Sequence, residues 1–338
     1  MSPSTVGMRK YTTSSSKIAR GVFAAISVNH RACFHSGPRH IRCFDESDGK
    51  GYGMRVIIGV DWSDQTFAAV AQTFHLYHPT DVTLVHGVEL GMLEHPLVAQ
   101  AGNVQGYDDF RRAMVDSGRQ VVERAAAMVP AEVTSIRKVN EVSNPAQLIL
   151  DSANNLSADL VVIGARGRNR LSEVVLGSVS HRVLLHSSRP TLIVRGAARK
   201  IQRVLVAIED RDDADRVVRW LTQHPFVDPV ELCVVHAVVP IGVNEPYVGP
   251  EISAWLDDVQ RYAEELVQTT AGKLVSAHHT VTTKVIQGNP VAMIEQEAKD
   301  MDLVVVTSHG RKGISRFLLG SVSHAVVHHV TCPVLVLR

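Results

Sequence analysis

The chain is poor in aromatic residues, in cysteine and in long apolar runs, and each shortage removes a class of protein. Aromatics make up 5% of its 338 residues, and its four cysteines are scattered. That is no disulfide framework, and it suits a reducing compartment. No apolar stretch approaches the roughly 20 residues that cross a bilayer as a helix, so the sequence predicts a soluble, cytoplasmic body with no membrane partner. Net charge is scarce too, at +1. The total conceals an asymmetry: residues 1–53 carry eight Lys and Arg against three acids, with no acid before Asp45, and the rest sums to −4. A mildly acidic body lacks the basic face of nucleic-acid binders, so no nucleic-acid partner is expected. The dinucleotide pattern G-x-G-x-x-G and the Gly-Lys-Ser/Thr of a Walker loop are also missing.

What is present is a duplication. Leu160-Val-Val-Ile-Gly164-Ala-Arg166-Gly167, nine further residues, then Gly177-Ser178-Val179-Ser180 make one copy. Leu303-Val-Val-Val-Thr307-Ser-His-Gly310, nine further residues, then Gly320-Ser321-Val322-Ser323 make the other, 143 residues on. The correspondence extends outward. Arg55–Asp61 matches Arg203–Glu209, Thr83–His86 matches Cys233–His236, Asn144-Pro145 matches Asn289-Pro290, and Arg189–Val194 matches Cys332–Leu337. A fixed internal period of this kind marks repeated structural units. The expected organisation is 54–196 and 197–338, joined by Gly196–Lys200. Residues 1–53 read as a disordered basic leader or a mis-called start. A transit-type presequence, or a metal tract of Cys33 and Cys43 among His30, His35 and His40, are the alternatives. Cys233 and Cys332 sit in apolar runs and are expected to be buried.

Within each half, short β-branched runs alternate with helical stretches. Strands are expected near 55–60, 81–88, 132–138, 159–164 and 191–195, and again near 203–208, 230–238, 280–287, 302–307 and 333–337. Helices are expected near 64–77, 108–129, 145–156 and 178–187. Continuous apolar runs such as Asp159–Ile163 mark strands covered on both faces, as parallel sheets require. The predicted fold is therefore α/β, two doubly wound parallel sheets in tandem. Ligands bind such sheets beyond the carboxyl ends of the strands, where strand order reverses, which points to the loops after Val60 and Ile163. Ala113, Val121, Ala125 and Met128 read as core, and His86 and His236 as strand ends rather than metal ligands.

Glycine permits positive φ and close approach to a phosphate, and a helix N-terminus offers unpaired N–H groups and partial positive charge. Gly177–Ser180 therefore reads as an anion-binding helix start, with Arg166, Arg168 and Arg170 beside it. On the residues alone the ligand is unspecified, and a purely structural turn is the competing reading.

With its spacing G-x2-G-x9-G-S after a buried strand, its Val60-Asp61-x-Ser63 and its Pro190-Thr-Leu-Ile-Val, the sequence resembles the universal stress protein family, of ATP-binding type, in tandem over residues 54–338. The resemblance implies Rossmann-like five-stranded domains that bind ATP, with or without Mg2+. It implies that Asp61, after Val60, contacts base or ribose and that Val85 packs near adenine. Gly164, Arg166, Gly167, Gly177, Ser178, Val179 and Ser180 would surround the phosphates. In the second half Gly310, Gly320, Ser321, Val322 and Ser323 take those places. There Thr307 replaces a glycine, and a β-branched residue resists positive φ, while Glu209 replaces the acid. The second half is thus expected to bind more weakly, differently or not at all. His181 and His324, at matching places, read as solvated first-turn residues without an orienting partner, and Glu173 as a weak candidate for water or magnesium.

The expected function is a nucleotide-dependent conformational or association switch read by an unidentified regulatory protein partner, not an enzyme. A nucleotide-free scaffold with a vestigial pocket and a slow ATP hydrolase are the alternatives. The hydrolase lacks a Walker lysine and a carboxylate pair beside the loop. The last strands, Leu192–Val194 and Val334–Leu337, are expected to pair the two halves within the chain. Whether two chains then form a homodimer is left open.

Overall fold

A computed structural model describes residues 53–90, 106–165, 176–239, 250–308 and 319–338. The first half runs β1 (Arg55–Gly59), α1 (Asp64–Leu76), β2 (Asp81–Val88), α2 (Tyr107–Ala126), β3 (Ser135–Val142), α3 (Pro145–Asn155), β4 (Leu160–Gly164), α4 (Ser178–His186) and β5 (Thr191–Val194). The second repeats it as β6 (Arg203–Ala207), α5 (Arg211–Gln223), β7 (Val230–Val238), α6 (Pro250–Leu274), β8 (His279–Gln287), α7 (Pro290–Ala298), β9 (Leu303–Thr307), α8 (Ser321–His329) and β10 (Val334–Leu337).

The helix starts follow local chemistry. Ser63, Asn144, Asp210 and Asn289 each accept a backbone N–H from the first turn of the helix they precede. Such caps stabilise a helix by about 1 kcal/mol each. Pro145 and Pro290 stand at first helical positions, where the missing N–H costs nothing.

All strands join one sheet in the order β3-β2-β1-β4-β5-β10-β9-β6-β7-β8. Pairing is parallel within each half. The expected pairing of the halves is present: β5 and β10 run antiparallel, with Leu192 opposite Leu335 and Ile193 opposite Val334. Strand order reverses between β1 and β4, and again between β6 and β9. Helices α1, α2, α5 and α6 bury one apolar layer, and α3, α4, α7 and α8 the other, and each layer runs through both halves. Burial of each Leu, Ile or Val in these layers is worth roughly 1.5–3 kcal/mol.

Polar and aromatic contacts also cross the seam. Tyr77 stacks on Phe226 at 5.7 Å, and its hydroxyl accepts from Trp220 Nε1 at 3.2 Å. Gln72 exchanges two 3.0 Å hydrogen bonds with the backbone of Arg199 in the linker, and Gly196 turns that linker at φ +68°. At the matching ends of β5 and β10 the arrangement is reciprocal. Arg195 donates to the carbonyl of Val327 in α8, and Arg338 donates to that of Leu184 in α4.

Two expectations need correction. The third strand spans Ser135–Val142 rather than 132–138, because it is an edge strand whose exposed Arg137, Lys138 and Glu141 carry no apolar signal. Ala113 and Met128 are exposed, and only Val121 and Ala125 of that set are core. The opening turns of α2 overhang the layer, leaving Phe110 and Met114 exposed as well. Cys233 and Cys332 are buried free thiols, and burial raises both, Cys332 to about 11, so neither is a ready nucleophile. No helix among the described residues is long and apolar enough to cross a membrane.

Candidate functional site

The crevice is built where β1 parts from β4, and β6 from β9. At the end of β1, Asp61 Oδ1 accepts from Ser63 N at 2.9 Å, from the Ser63 hydroxyl and from the Thr66 hydroxyl at 2.7 Å, while Asp61 N donates to Thr66 Oγ1 at 3.0 Å. This net fixes the carboxylate, and Oδ2 takes no part in it. Val60 and Val85 are both buried. Val60 N donates to Val85 O at 2.9 Å, and the Val85 side chain packs with Ile57, Ala146 and Ile149.

His86 Nδ1 lies 2.7 Å from Val60 O, and His236 Nδ1 lies 3.0 Å from Ile208 O. A carbonyl can only accept, so these rings carry the proton on Nδ1. They tie the turn at each switch point to the neighbouring strand, a role beyond that of a strand end. Gly118 of α2 makes room for the first ring, since a Cβ there would lie 2.6 Å from His86 Cδ2.

The helices behind the glycine loops lack the side-chain caps of α1, α3, α5 and α7. Gly177 and Gly320 are the N-caps of α4 and α8, and neither supplies a side-chain cap. The N–H groups of Ser178, Val179 and Ser180, and of Ser321, Val322 and Ser323, therefore stand at uncapped helix starts carrying the positive end of the helix dipole. The Ser178 and Ser321 side chains are exposed. Ser180 and Ser323 are buried, and their hydroxyls donate to the carbonyls of Gly164, at 2.7 Å, and Thr307. These two hydroxyls thus fasten helix to strand instead of serving as extra anion donors. Gly177 N and Gly320 N close each loop onto Ala165 O and Ser308 O, both at 2.8 Å. Arg166, Gly167, Arg168, Arg170, Glu173 and Gly310 lie outside the described residues.

The reason assigned to the first glycine also changes. Gly164 is an ordinary strand residue, as is Thr307, and neither has positive φ. What Gly164 supplies is space, since a Cβ would lie 2.9 Å from Gln65 Cβ at the start of α1. The second half solves the same contact with a different pair: the shorter Asp213 stands in the place of Gln65 and hydrogen bonds the Thr307 hydroxyl. Thr307 is accommodated, so it does not distort the second crevice.

That second crevice is a cavity of about 450 Å³ lined by Ile208, Glu209, Asp213, Val235, Thr307 and the Gly320–Ser323 helix start, among others. Its outer wall is Trp255 and Val259, from the overhanging first turns of α6. Laying Gly118, Val121 and Val122 of α2 on Ala263, Leu266 and Val267 of α6 puts Phe110 and Met114 in the places of Trp255 and Val259. The sequence reading missed this wall. Its signal was present as apolar residues in each helix ahead of the buried stripe.

It also missed Asp213 and Glu297, which line the second cavity together with Glu209, so the loop is not without acidic neighbours. Glu297 is paired with Lys284 at 2.5 Å. Asp213 accepts from Glu209 N at 3.2 Å and from Arg216 at 3.2 Å, and burial still pushes its carboxyl up to about 6.

Comparison with known proteins agrees with this fold. The sequence pattern of the Universal stress protein family matches residues 54–195 and again 200–338. A universal stress protein of Mycolicibacterium smegmatis is 29% identical over 300 residues, covering 84% of this chain and 96% of its own length. One from Mycobacterium tuberculosis is 29% identical over 297 residues, with the same shares covered. Among solved structures, a universal stress protein from Archaeoglobus fulgidus superposes with a TM-score of 0.56 at 19% identity, covering 83% of this chain and 97% of that one. A putative universal stress protein from Pseudomonas aeruginosa gives 0.52 at 15% identity, covering 84% and 92%. These likenesses extend to the fold of the whole tandem body, and the chain belongs to the universal stress protein family as two such domains in one polypeptide.

Proposed function

We propose that the chain is an ATP-binding regulatory protein in which bound nucleotide biases conformation or association and a protein partner reads the outcome. The observation that carries the reading is the pair of uncapped helix starts, Gly177–Ser180 and Gly320–Ser323, at the ends of β4 and β9. They stand at the two points where strand order reverses, the position doubly wound sheets use for phosphate-bearing ligands. The second cavity's volume of about 450 Å³ falls within the roughly 300–1,000 Å³ of small-molecule sites. Triphosphate would sit on the backbone N–H groups of the helix start. Ribose or base would lie toward Asp61, or Glu209 in the second half, with Phe110 or Trp255 offering a ring face to adenine. In the second crevice Glu297 is paired with Lys284 and Asp213 with Arg216 and Thr307, so the reading favoured is binding rather than turnover.

The test is the nucleotide content of freshly purified full-length protein, followed by ATP titration with and without Mg2+. Trp255 is 47% exposed at the cavity wall while Trp220 is buried. Trp62 stands beside Asp61 in the first crevice, so ATP entering both crevices is expected to change tryptophan fluorescence more in wild type than in Trp255→Phe. Absence of nucleotide, with none taken up from added ATP, would leave the scaffold with a vestigial pocket.

A further inference from the structure

The antiparallel pairing of β5 with β10 has brought together residues that are far apart in sequence. His181 of α4 and His324 of α8, the matching first-turn histidines, meet across the seam with ring centroids 5.6 Å apart. His328, one turn along α8, completes a triangle, 4.5 Å from the His324 ring and 5.7 Å from that of His181. The expectation of solvated rings without partners is thereby overturned: all three are half-buried, and a ligating nitrogen from each lies within 4.8 Å of the others.

We propose that His181, His324 and His328 form a binding site for a divalent transition metal, Zn2+ by its chemistry, which clips the two halves together at their seam. Histidines at i and i+4 present their rings on one helix face, the spacing by which a single helix supplies two zinc ligands. The third ligand comes from the other half, and a three-histidine set leaves the fourth tetrahedral position to water or an anion. Zinc held at about 2.0–2.1 Å from each nitrogen needs the nitrogens roughly 3.4 Å apart. Ligation therefore requires the nitrogens, now within 4.8 Å of one another, to draw closer.

Two further observations fit this reading. His328 Nε2 is buried and has no hydrogen-bond partner, which is costly for a ring nitrogen unless something else occupies it. Burial first, then neighbouring charge, holds His324 and His328 below the ordinary histidine value, so these rings favour the neutral form that ligates metal. Imidazole without sulfur or carboxylate suits Zn2+, Cu2+ or Ni2+, not Ca2+ or Mg2+. The opposing influence is Arg195, whose positive charge acts on His328. Its guanidinium donates to the Val327 carbonyl. The site is not a duplicated feature, because the first half carries Leu185 in the place of His328.

The experiment uses chelator-treated full-length protein without nucleotide, titrated with Co2+ and Zn2+, beside His328→Leu and His181→Gln. His328→Leu installs the first half's own residue, and thermal unfolding of each metal-free variant checks that it folds. Wild type is expected to take up one Co2+ with the intense visible bands of tetrahedral coordination, displaced by Zn2+, and to melt higher with Zn2+. Each variant is expected to lose the bands, the shift in melting and about tenfold or more in affinity, since even groups that merely orient a ligand are worth that much. No tetrahedral Co2+ spectrum in wild type overturns the proposal. So does unchanged uptake by both variants, which would move the metal to the Cys33 and Cys43 tract of the leader.

Discussion

Asp213 is the residue whose environment departs furthest from what the sequence suggests. Its helix start reads as an ordinary acidic first turn, yet the side chain is turned inward against Thr307 and burial raises its carboxyl from 3.8 to about 6. A group whose folded-state value lies above its unfolded value contributes stability fully below the unfolded value and loses it as pH rises through the folded one. Charged Asp213 is thus a liability above about pH 6. Asp213→Asn, which keeps one acceptor oxygen, is expected to stabilise the chain at pH 7.5 by at most about 3 kcal/mol and to change little near pH 4. Denaturant unfolding of both proteins across that range measures it, and a gain that does not vary with pH would remove the explanation. Because the same carboxylate faces the cavity, nucleotide uptake by the second half is expected to strengthen as pH falls through about 6. None of this was legible in the sequence, since the contact joins α5 to β9 across more than ninety residues. The positive-φ argument against Thr307 failed for a related reason. It took the glycine's value to be its backbone freedom, when the contact with Gln65 makes it the absence of a Cβ.

At the scale of elements, the strands and helices could be read because their burial is extreme. β4 and β9 are buried at every position, and the asparagine–proline starts of α3 and α7 announce themselves locally. β3 was displaced because an edge strand with charged residues has no such signature, while the same charges guard the edge against unwanted pairing. The helix starts at Gly177 and Gly320 were legible from their spacing, and the structure leaves both without a side-chain cap. They also offer a test in which helix stability and ligand binding move in opposite directions. A glutamate in the first turn complements the dipole of an uncapped helix by about 0.3–1 kcal/mol, but it occupies the place proposed for phosphate. Ser178→Glu and Ser321→Glu are therefore expected to leave the melting temperature of nucleotide-free protein unchanged or raised, and each to abolish nucleotide uptake by its own half. Calorimetric titration with ATP separates the halves by stoichiometry. A variant that melts higher and still binds would remove the helix starts from the site.

At the scale of the molecule, duplication sets what each half lacks. A lone half would end its sheet at β5, a four-residue strand of Thr191, Leu192, Ile193 and Val194 with no charge to discourage pairing. In the whole chain that edge is closed by β10, and Arg195 and Arg338 reach across it to carbonyls of the opposite half. Tyr77, Trp220 and Phe226 continue the seam on the other face of the sheet. The pairing was anticipated because two corresponding apolar edges in one chain have an obvious use for each other. Its consequence for α4 and α8, which places three histidines in one cluster, needed the register of the strands as well. A buried seam of this kind makes the halves mutually dependent, so residues 54–196 expressed alone should not persist as a monomer. They are expected to pair with a second copy through β5, antiparallel as in the intact chain, or to aggregate through the exposed edge. Light scattering coupled to size-exclusion chromatography distinguishes these outcomes. A dimer that falls apart on Leu192→Lys would establish the edge as the contact, because the charge would be buried where Leu335 now packs. A stable, monodisperse monomer would mean that β5 protects itself, and that the tandem arrangement serves the joining of two ligand sites rather than the covering of an edge.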